Sequence, residues 1–409
     1  MKFLVIFLLF SSIVFSQNYG EKSHYLVDSL NLKAMKKAEL EMVDSCILAY
    51  HRTIDFKKQI QALDYIVETS YSNDVWPKYN QFLFDLVNEE LKYDLSEEDR
   101  KFFLKAKSGA VNNFGYLDQI HGNTISAIEH YEHSLSIFEE LKDSIGMAAS
   151  INNIGSIYYF EGDIFNCLLQ YKQSLLIRRA VNDEYGVANS LNNIGIIFQE
   201  QGDISKALTY YNESLEIRKG LEDEVLIATQ LNNIGLCYLQ MKESKKALVY
   251  FEESKAIDEK HGNIQGTGVA IMNIGRAHQH LKEYHKAFVS FTQCLDIFKG
   301  TGEKKEIGAA YIALAEVHLD LGETTKALEL YEQALDINLK INFADGICHA
   351  YEGLSKCYLS LKKIKLAKVY AIKSMNIAQE LGYPDLIKNS ALSLSNIMEE
   401  IEDYKLALE

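Results

Sequence analysis

Pairs of asparagines recur along the chain at a spacing of forty residues, and their amides are its most prominent chemical groups. The second members of four such pairs are Asn113, Asn153, Asn193 and Asn233, and Asn273 has the same place in the next repeat, after Met272. A primary amide both donates and accepts hydrogen bonds, so a row of amides can bind an extended peptide backbone without reading its side chains. The same amides can instead bond to one another between neighbouring helices, and the sequence leaves both interpretations open.

The asparagines belong to a forty-residue repeat that continues without insertion or deletion. A glycine follows each second asparagine by two positions, at Gly115, Gly155, Gly195, Gly235 and Gly275. One column of the repeat is isoleucine throughout: Ile137, Ile177, Ile217, Ile257, Ile297, Ile337 and Ile377. Apolar residues recur at intervals of three and four, which is the helical spacing. Only two prolines occur in 409 residues, and this scarcity also indicates an all-helical chain.

Each repeat has a break at its middle that predicts a tight turn between two helices. The break reads Gly122-Asn123, Gly162-Asp163, Gly202-Asp203 and Gly322-Glu323. Glycine adopts the left-handed conformation that ends a helix, and Asn or Asp can cap the helix that follows. Each repeat is therefore predicted to be an antiparallel helical hairpin. Because one hairpin cannot bury both of its faces, successive hairpins are expected to stack into a solenoid.

The apolar and small positions of the hairpin resemble those of the tetratricopeptide repeat. The residues that carry the resemblance are Ile151, Ile154, Gly155, Tyr158, Cys167 (Ala207 in the next repeat), Tyr171 and Ser174. The unit is six residues longer than the usual one and lacks the proline that closes the second helix, as in kinesin light chains and bacterial sensor proteins. The resemblance covers about residues 101–409 and implies an all-α, right-handed α-α superhelix.

A helical wheel places the asparagine pairs relative to the packed face of the first helix. Residues 151, 154, 155 and 158 share the packed face, and Asn153 lies opposite them. Asn152 lies to the side, towards a neighbouring repeat. The resemblance implies that first helices line a concave surface and that such asparagines contact bound peptides. Three residues after the second asparagine the side chain varies from repeat to repeat, and one variant is Arg276. The predicted peptide-binding set is therefore Asn113, Asn153, Asn193, Asn233, Asn273 and Arg276.

Glycine and cysteine in the repeat are interpreted as packing residues. A glycine inside a helix costs about 1 kcal/mol relative to alanine, so its recurrence predicts a close approach of stacked hairpins. Six cysteines occur without a metal-like spacing. Cys167 and Cys348 stand where other repeats have small residues, which favours buried thiols over disulfides.

The remaining polar residues favour neither an enzyme nor a metal site. The chain contains none of the motifs GxxxxGK[ST], HExxH or GxSxG. His278, His280 and His285 lie close in sequence, but His278 occupies an aromatic column and His280 points about 200° away from it. His130 and His133 are interpreted as a surface pair. We therefore predict a non-catalytic protein without a cofactor or a metal.

Charge and the N-terminal segment bear on partners and location. A net charge of −15 disfavours nucleic acid and anionic lipid as partners. Residues 1–16 read as a signal peptide, with Gln17 starting the mature chain, or alternatively as an uncleaved anchor. No later segment is apolar enough to span a membrane. An exported protein of the periplasm or cell envelope is expected.

The two ends of the chain differ from the repeats between them. Residues 17–100 predict an N-terminal helical cap with one degenerate hairpin, whose second helix opens at Trp76-Pro77. Residues 101–409 predict about seven and a half repeats, the last incomplete because the sequence stops just after Ala407. The function predicted is a scaffold that binds a protein or peptide ligand. The alternative is the sensory part of a signalling protein whose kinase, cyclase or regulatory output lies beyond Glu409.

Overall fold

The regular structure of the chain is entirely α-helical over the residues that the computed structural model describes, which are 22–28, 30, 32, 35–70, 72–381 and 384–400. The helices are α1 (Lys22–Tyr25), α2 (Lys37–Arg52), α3 (Phe56–Thr69), α4 (Trp76–Glu90), α5 (Glu97–Ile120), α6 (Thr124–Leu141), α7 (Ser144–Phe160), α8 (Ile164–Ala180), α9 (Glu184–Glu200), α10 (Ile204–Gly220), α11 (Glu224–Gln240), α12 (Ser244–His261), α13 (Ile264–His280), α14 (Tyr284–Thr301), α15 (Lys304–Asp320), α16 (Thr324–Lys340), α17 (Ala344–Ser360), α18 (Ile364–Leu381) and α19 (Pro384–Glu400). The predicted all-α fold is confirmed. The signal-peptide prediction for residues 1–16 and the chain end at Ala407 fall outside the described residues.

The chain divides into two compact units, Met1–Ser190 and Leu191–Glu409, with the division inside α9. Within each unit an odd-numbered helix packs against the following even-numbered helix, as α7 does with α8 and α11 with α12. The even-numbered helix also packs against the next odd-numbered one, as in α6 with α7 and α12 with α13. From α5 onwards we call the odd-numbered helix the first helix of its hairpin and the even-numbered one the second.

The turn inside each hairpin follows the sequence prediction. Gly162 and Gly202 both have a φ of +76°, the left-handed conformation that glycine adopts without steric cost. The side chain of Asp163 then accepts a hydrogen bond from the Asn166 backbone at 3.1 Å, which caps the second helix. The predicted break between the helices is therefore confirmed as a three-residue turn, Glu161–Asp163 in the hairpin of α7 and α8.

The repeated glycine of the first helix makes room for an aromatic ring of the second helix. A Cβ atom on Gly155 would lie 2.8 Å from the ring of Tyr171, and one on Gly235 would lie 2.5 Å from the ring of Phe251. Both rings are buried. The close packing predicted from the glycine is thus present, but the partner is a ring of the same hairpin rather than the backbone of a stacked one.

The small residues near the start of the first helix do mark a close backbone approach. The Ser174 hydroxyl donates to the Ala148 carbonyl at 2.8 Å, and Ser254 donates to Ala228 in the same way. All four residues are buried. A larger side chain in the alanine column would push the two helices apart and break this bond.

The N-terminal helices have a core of their own. Ile47 of α2, Leu63 of α3 and Tyr79 of α4 are fully buried in one apolar cluster that reaches α5. Helix α4 begins at Trp76 with a proline in its first turn, as predicted. The assignment of residues 17–100 as a cap stays a prediction.

Cysteine burial agrees with the sequence interpretation. Cys167 and Cys348 are inaccessible to solvent, and all six thiols are free. Burial raises the pKa of the Cys348 thiol, so it stays protonated at neutral pH. Among the described helices, none is long and apolar enough to cross a bilayer.

Candidate functional site

In the first unit, the second asparagine of a pair bonds to an amide of the hairpin before it. Nδ2 of Asn153 donates to Oδ1 of Asn112 at 3.2 Å. Asn113 makes the corresponding bond to Oδ1 of Asn80 at 3.1 Å, and Asn80 donates in turn to the Ala110 carbonyl at 3.0 Å. Asn80 is fully buried on α4. The row of amides therefore begins one hairpin before the repeat pattern does.

The second unit repeats this arrangement with similar distances. Nδ2 of Asn233 donates to Oδ1 of Asn192 at 3.0 Å, and Asn273 donates to Asn232 at 2.8 Å. The Gln230 amide adds a second donor to Asn192 Oδ1 at 2.7 Å. Both asparagine–asparagine bonds join residues 41 positions apart, so the second-asparagine position of one repeat meets the first asparagine of the repeat before it. The first asparagine thus lies at the repeat junction, as predicted.

These residues form what we call the amide ladder. Its members are Asn80, Asn112, Asn113 and Asn153 in the first unit and Asn192, Asn232, Asn233 and Asn273 in the second. Asn193 occupies the matching position on α9, where its Oδ1 lies 3.5 Å from the Nδ2 of Asn192. We call the surface that carries the ladder the first-helix face.

At several positions the ladder bonds use only half of the side-chain amide. Asn112 and Asn232 accept through Oδ1, which leaves their Nδ2 hydrogens for other acceptors. Asn113 and Asn233 donate through Nδ2, which leaves their Oδ1 atoms for other donors. All four side chains are only partly buried. The pairs Asn112–Asn113 and Asn232–Asn233 therefore each offer one donor and one acceptor, which matches the N–H and C=O groups of an extended peptide.

The ladder ends at an arginine. Asn273 is only 3% exposed, and it donates to Asn232 while its Oδ1 accepts from Nη1 of Arg276 at 3.4 Å. Both ends of this amide are engaged, so Asn273 positions Arg276. The Arg276 side chain is exposed on the first-helix face and carries donors beyond the Nη1–H that it gives to Asn273 Oδ1.

Charged residues continue the face beyond Arg276. The Lys356 ammonium lies 2.5 Å from Oε1 of Glu352, and His349 lies 3.9 Å from the other oxygen of that carboxylate. The exposed Glu316 lies on the same face, within electrostatic range of Arg276, Lys356 and His349. The face therefore changes from neutral amides to a mixed charge cluster along the second unit.

Aromatic side chains accompany the amides in the first unit. Tyr159 and Phe160 contact each other with ring centroids 5.3 Å apart, and Phe160 is 73% exposed at the end of α7. Tyr116 is half-exposed one turn after Asn113. The Gln119 amide donates to the Ser156 hydroxyl at 3.2 Å and so links two consecutive first helices. These rings give the face apolar contact area beside its hydrogen-bonding groups.

The histidines have carboxylate partners. Nδ1 of His278 lies 2.6 Å from Glu283, and Nδ1 of His130 lies 3.0 Å from Asp118. The predicted surface pair of His130 and His133 is thus better described as an Asp–His pair with His133 beside it. Desolvation lowers the pKa of His133, and the nearby Lys107 adds to this effect. Over the described ranges, no group of three or more His, Cys, Asp or Glu side chains is arranged to hold a metal ion.

The first asparagines can contact a ligand, which the sequence did not predict. Ligand contact was predicted only for the second asparagines, whereas Asn112 and Asn232 also keep unused amide hydrogens on the same face. Their recurrence in every pair was the signal that could have identified them. Asn80 lies outside the repeat register and Gln230 has no counterpart in the other repeats, so neither had a sequence signal.

Two-helix hairpins that share packed faces and carry their polar side chains on one surface define a helical repeat protein of the solenoid class. A sequence model of the tetratricopeptide repeat matches residues 147–220 and 267–340, and a second such model matches residues 231–261. The chain is a tetratricopeptide repeat protein. No curated protein matches it in sequence.

Solved structures share this fold at low sequence identity. The apo form of RapI is 20% identical with a TM-score of 0.57, covering 68% of this chain and 99% of its own. A Rap protein complexed with competence and sporulation factor is 17% identical with a TM-score of 0.56, covering 84% and 97%. Aspartyl phosphate phosphatase F from Bacillus subtilis is 15% identical with a TM-score of 0.55, covering 86% and 91%. At these identities the likeness concerns the fold.

Proposed function

We propose that the chain is a non-catalytic scaffold that binds an extended peptide or protein segment along its first-helix face. The observation that carries this proposal is the division of the amide pairs Asn112–Asn113 and Asn232–Asn233, each of which leaves one donor and one acceptor unused by the ladder. A similar fold occurs in a Rap protein complexed with competence and sporulation factor, which supports a protein-binding role.

The chemistry of the face favours a peptide over other ligands. Primary amides are uncharged, so they supply none of the electrostatic attraction on which binding of a phosphate backbone depends, and the chain carries a net charge of −15. Partly buried amides beside exposed aromatic rings combine backbone hydrogen bonding with apolar contact. An extended segment with uncharged and aromatic or aliphatic residues fits the ladder of the first unit.

We further propose that the protein acts outside the cytoplasm, in the periplasm or attached to the cell envelope. The apolar N-terminal segment of the sequence supports this location. The alternative role, the sensory part of a signalling protein, assigns the same ligand-binding chemistry to the first-helix face. The two roles differ in what the bound segment controls.

The test removes ligand-facing donors without breaking the ladder. In Asn112→Asp and Asn232→Asp the new carboxylate still accepts from Asn153 or Asn273, but it has no N–H to offer. The full chain and the double variant are immobilised, and their retention of a synthetic pool of randomised extended peptides is measured. Because each lost hydrogen bond is worth about 1 kcal/mol, the two lost bonds should make retention by the double variant about thirtyfold weaker.

A matched control separates the added charge from the lost donors. Asn212 is exposed on the outer side of α10, so Asn212→Asp adds the same charge away from the ladder. Its peptide retention should equal that of the unaltered chain. Equal retention by the ladder variant, or a wild-type chain that retains no peptide, would refute the proposed function.

A further inference from the structure

The outward side of helix α8 carries apolar side chains that its own fold does not bury. Phe165, Leu169 and Leu176 are 79%, 52% and 67% exposed. At 100° per residue these three positions fall within an arc of about 40°, so they form one stripe along the helix. The exposed Lys172 lies in the same stripe, between Leu169 and Leu176. We call Phe165, Leu169, Lys172 and Leu176 the α8 stripe.

The second helices of the other repeats carry at most one large apolar residue at the positions of Phe165, Leu169 and Leu176. Helix α10 has Ser205, Thr209 and Glu216 there. Helix α16 has Thr325, Glu329 and Asp336. Since these helices have the same place in the repeat, packing of the hairpin does not require apolar residues at these positions. Scattered apolar residues on a surface are ordinary, but three on one face of one helix mark an interaction surface.

Charge also distinguishes α8 from its neighbours in the sequence. Residues 164–180 contain no aspartate or glutamate, in a chain that has 57 of them. Helix α8 contains one lysine and two arginines, Lys172, Arg178 and Arg179. Arg178 faces Asp183 at 3.5 Å, whereas Lys172 projects from the centre of the stripe. The stripe is therefore both apolar and locally basic.

We propose that the α8 stripe docks an amphipathic helix of a partner protein, one whose apolar stripe is flanked by acidic residues. The stripe runs over twelve residues, from Phe165 to Leu176, and is about 16 Å long, which matches three turns of a partner helix. A glutamate of the partner beside Lys172 completes the contact through charge complementarity. This surface lies on the second helix of its hairpin and is separate from the first-helix face.

Two other occupants fit the stripe less well. In a symmetric pairing of two copies, Lys172 would meet Lys172 of the second copy, and like charges repel. A bilayer gains little from the stripe, because three apolar side chains give little insertion. An acidic amphipathic helix covers these side chains and pairs locally with Lys172.

The test uses a synthetic helical peptide as the probe, with leucines at helical spacing and glutamates on both flanks. Its affinity for the full chain is measured by fluorescence anisotropy. Because this surface is small, we expect weak binding that falls about tenfold in Leu169→Ser/Leu176→Ser. Val249 is 64% exposed on the outer side of α12, so Val249→Ser is the matched control and should leave binding unchanged.

The proposal has four outcomes that overturn it. Two of them concern the peptide: no binding of the acidic peptide, or equal binding of the same peptide with lysine flanks. The other two are sedimentation of the chain with anionic phosphatidylglycerol vesicles and self-association of the chain, if Leu176→Ser abolishes either one. Loss of peptide binding on substitution of the stripe, with the Val249 control intact, supports it. None of these results depends on whether the amide ladder binds a peptide.

Discussion

Replacing the glycine that lies two positions after the second asparagine by alanine tests whether contact with a buried aromatic ring requires glycine at this position. In Gly235→Ala the new Cβ would lie 2.5 Å from Cε1 of Phe251, where carbon atoms normally stay about 3.5–4.0 Å apart. Phe251 is fully buried, so its ring has no free space into which to move by the required distance of about 1 Å. Such overpacking costs about 1–3 kcal/mol, while the better helix propensity of alanine returns about 1 kcal/mol.

The control for this substitution is a glycine in a first helix with no atom in its way. Gly109 lies inside α5, and no atom lies within 4 Å of an added Cβ. Gly109→Ala should therefore raise the free energy of unfolding by about 0.5–1 kcal/mol. The two variants have the same propensity term, so their difference isolates the ring contact, at about 1–3 kcal/mol. Urea denaturation followed by circular dichroism measures it. Equal stabilisation by both variants would refute the reasoning.

The chain itself contains a natural version of this experiment. Ala315 stands in the glycine column of its repeat, and the Tyr331 ring of that hairpin is nevertheless 2% exposed. An added Cβ on Gly353, at the second-asparagine position of the next repeat, would clash with this ring. In this hairpin, where Ala315 replaces the glycine, the Tyr331 ring therefore occupies the space that a side chain at position 353 would need. An asparagine consequently does not fit at position 353.

Two further predictions concern buried polar groups. Neither atom of the Asn338 amide has a hydrogen-bond partner within the described structure, so Asn338→Leu should raise the free energy of unfolding by about 1–3 kcal/mol, and a lower melting temperature would contradict this. Burial raises the pKa of the Cys237, Cys294 and Cys357 thiols to about 12, against about 8.5 when unfolded. The folded state thus holds more protons above about pH 8.5, so stability falls with rising pH, by up to about 1.4 kcal/mol per unit and thiol. Between about pH 8.5 and 10, the urea midpoint of unfolding should fall less steeply with pH in the variant in which all three cysteines are replaced by alanine.

Most of the fold could be predicted because each repeat restates the same local rules. Gly162 and Asp163 specify a turn by their own conformations and hydrogen bonds, and Trp76-Pro77 specifies a helix start. The packing of Gly155 was predicted in kind but with the wrong partner. Sequence spacing shows that a small residue is needed there, but it does not show whether a ring or a backbone fills the space.

The candidate site was less predictable because it depends on how the first helices of neighbouring repeats are offset along one another. A helical wheel places Asn153 on the first-helix face, but only the offset between α5 and α7 brings its amide to Asn112. The role of Asn273 was equally hidden. Its Oδ1 accepts a hydrogen bond from Arg276, whose long side chain can take several directions that the sequence does not distinguish.

The ladder explains why helix-interior asparagines are tolerated without any reference to a ligand. Each one costs about 0.5 kcal/mol in helix propensity, and a hydrogen bond between repeats returns about 1 kcal/mol. Their recurrence alone therefore does not indicate binding, and the argument for binding rests on the amide atoms that the ladder leaves unused. Asn153→Asp removes a ladder donor and keeps a ligand acceptor, whereas Asn112→Asp keeps the ladder and removes ligand donors. If the asparagines serve only the repeats, Asn153→Asp lowers the melting temperature and Asn112→Asp changes nothing. If they also bind a peptide, Asn112→Asp weakens retention at an unchanged melting temperature.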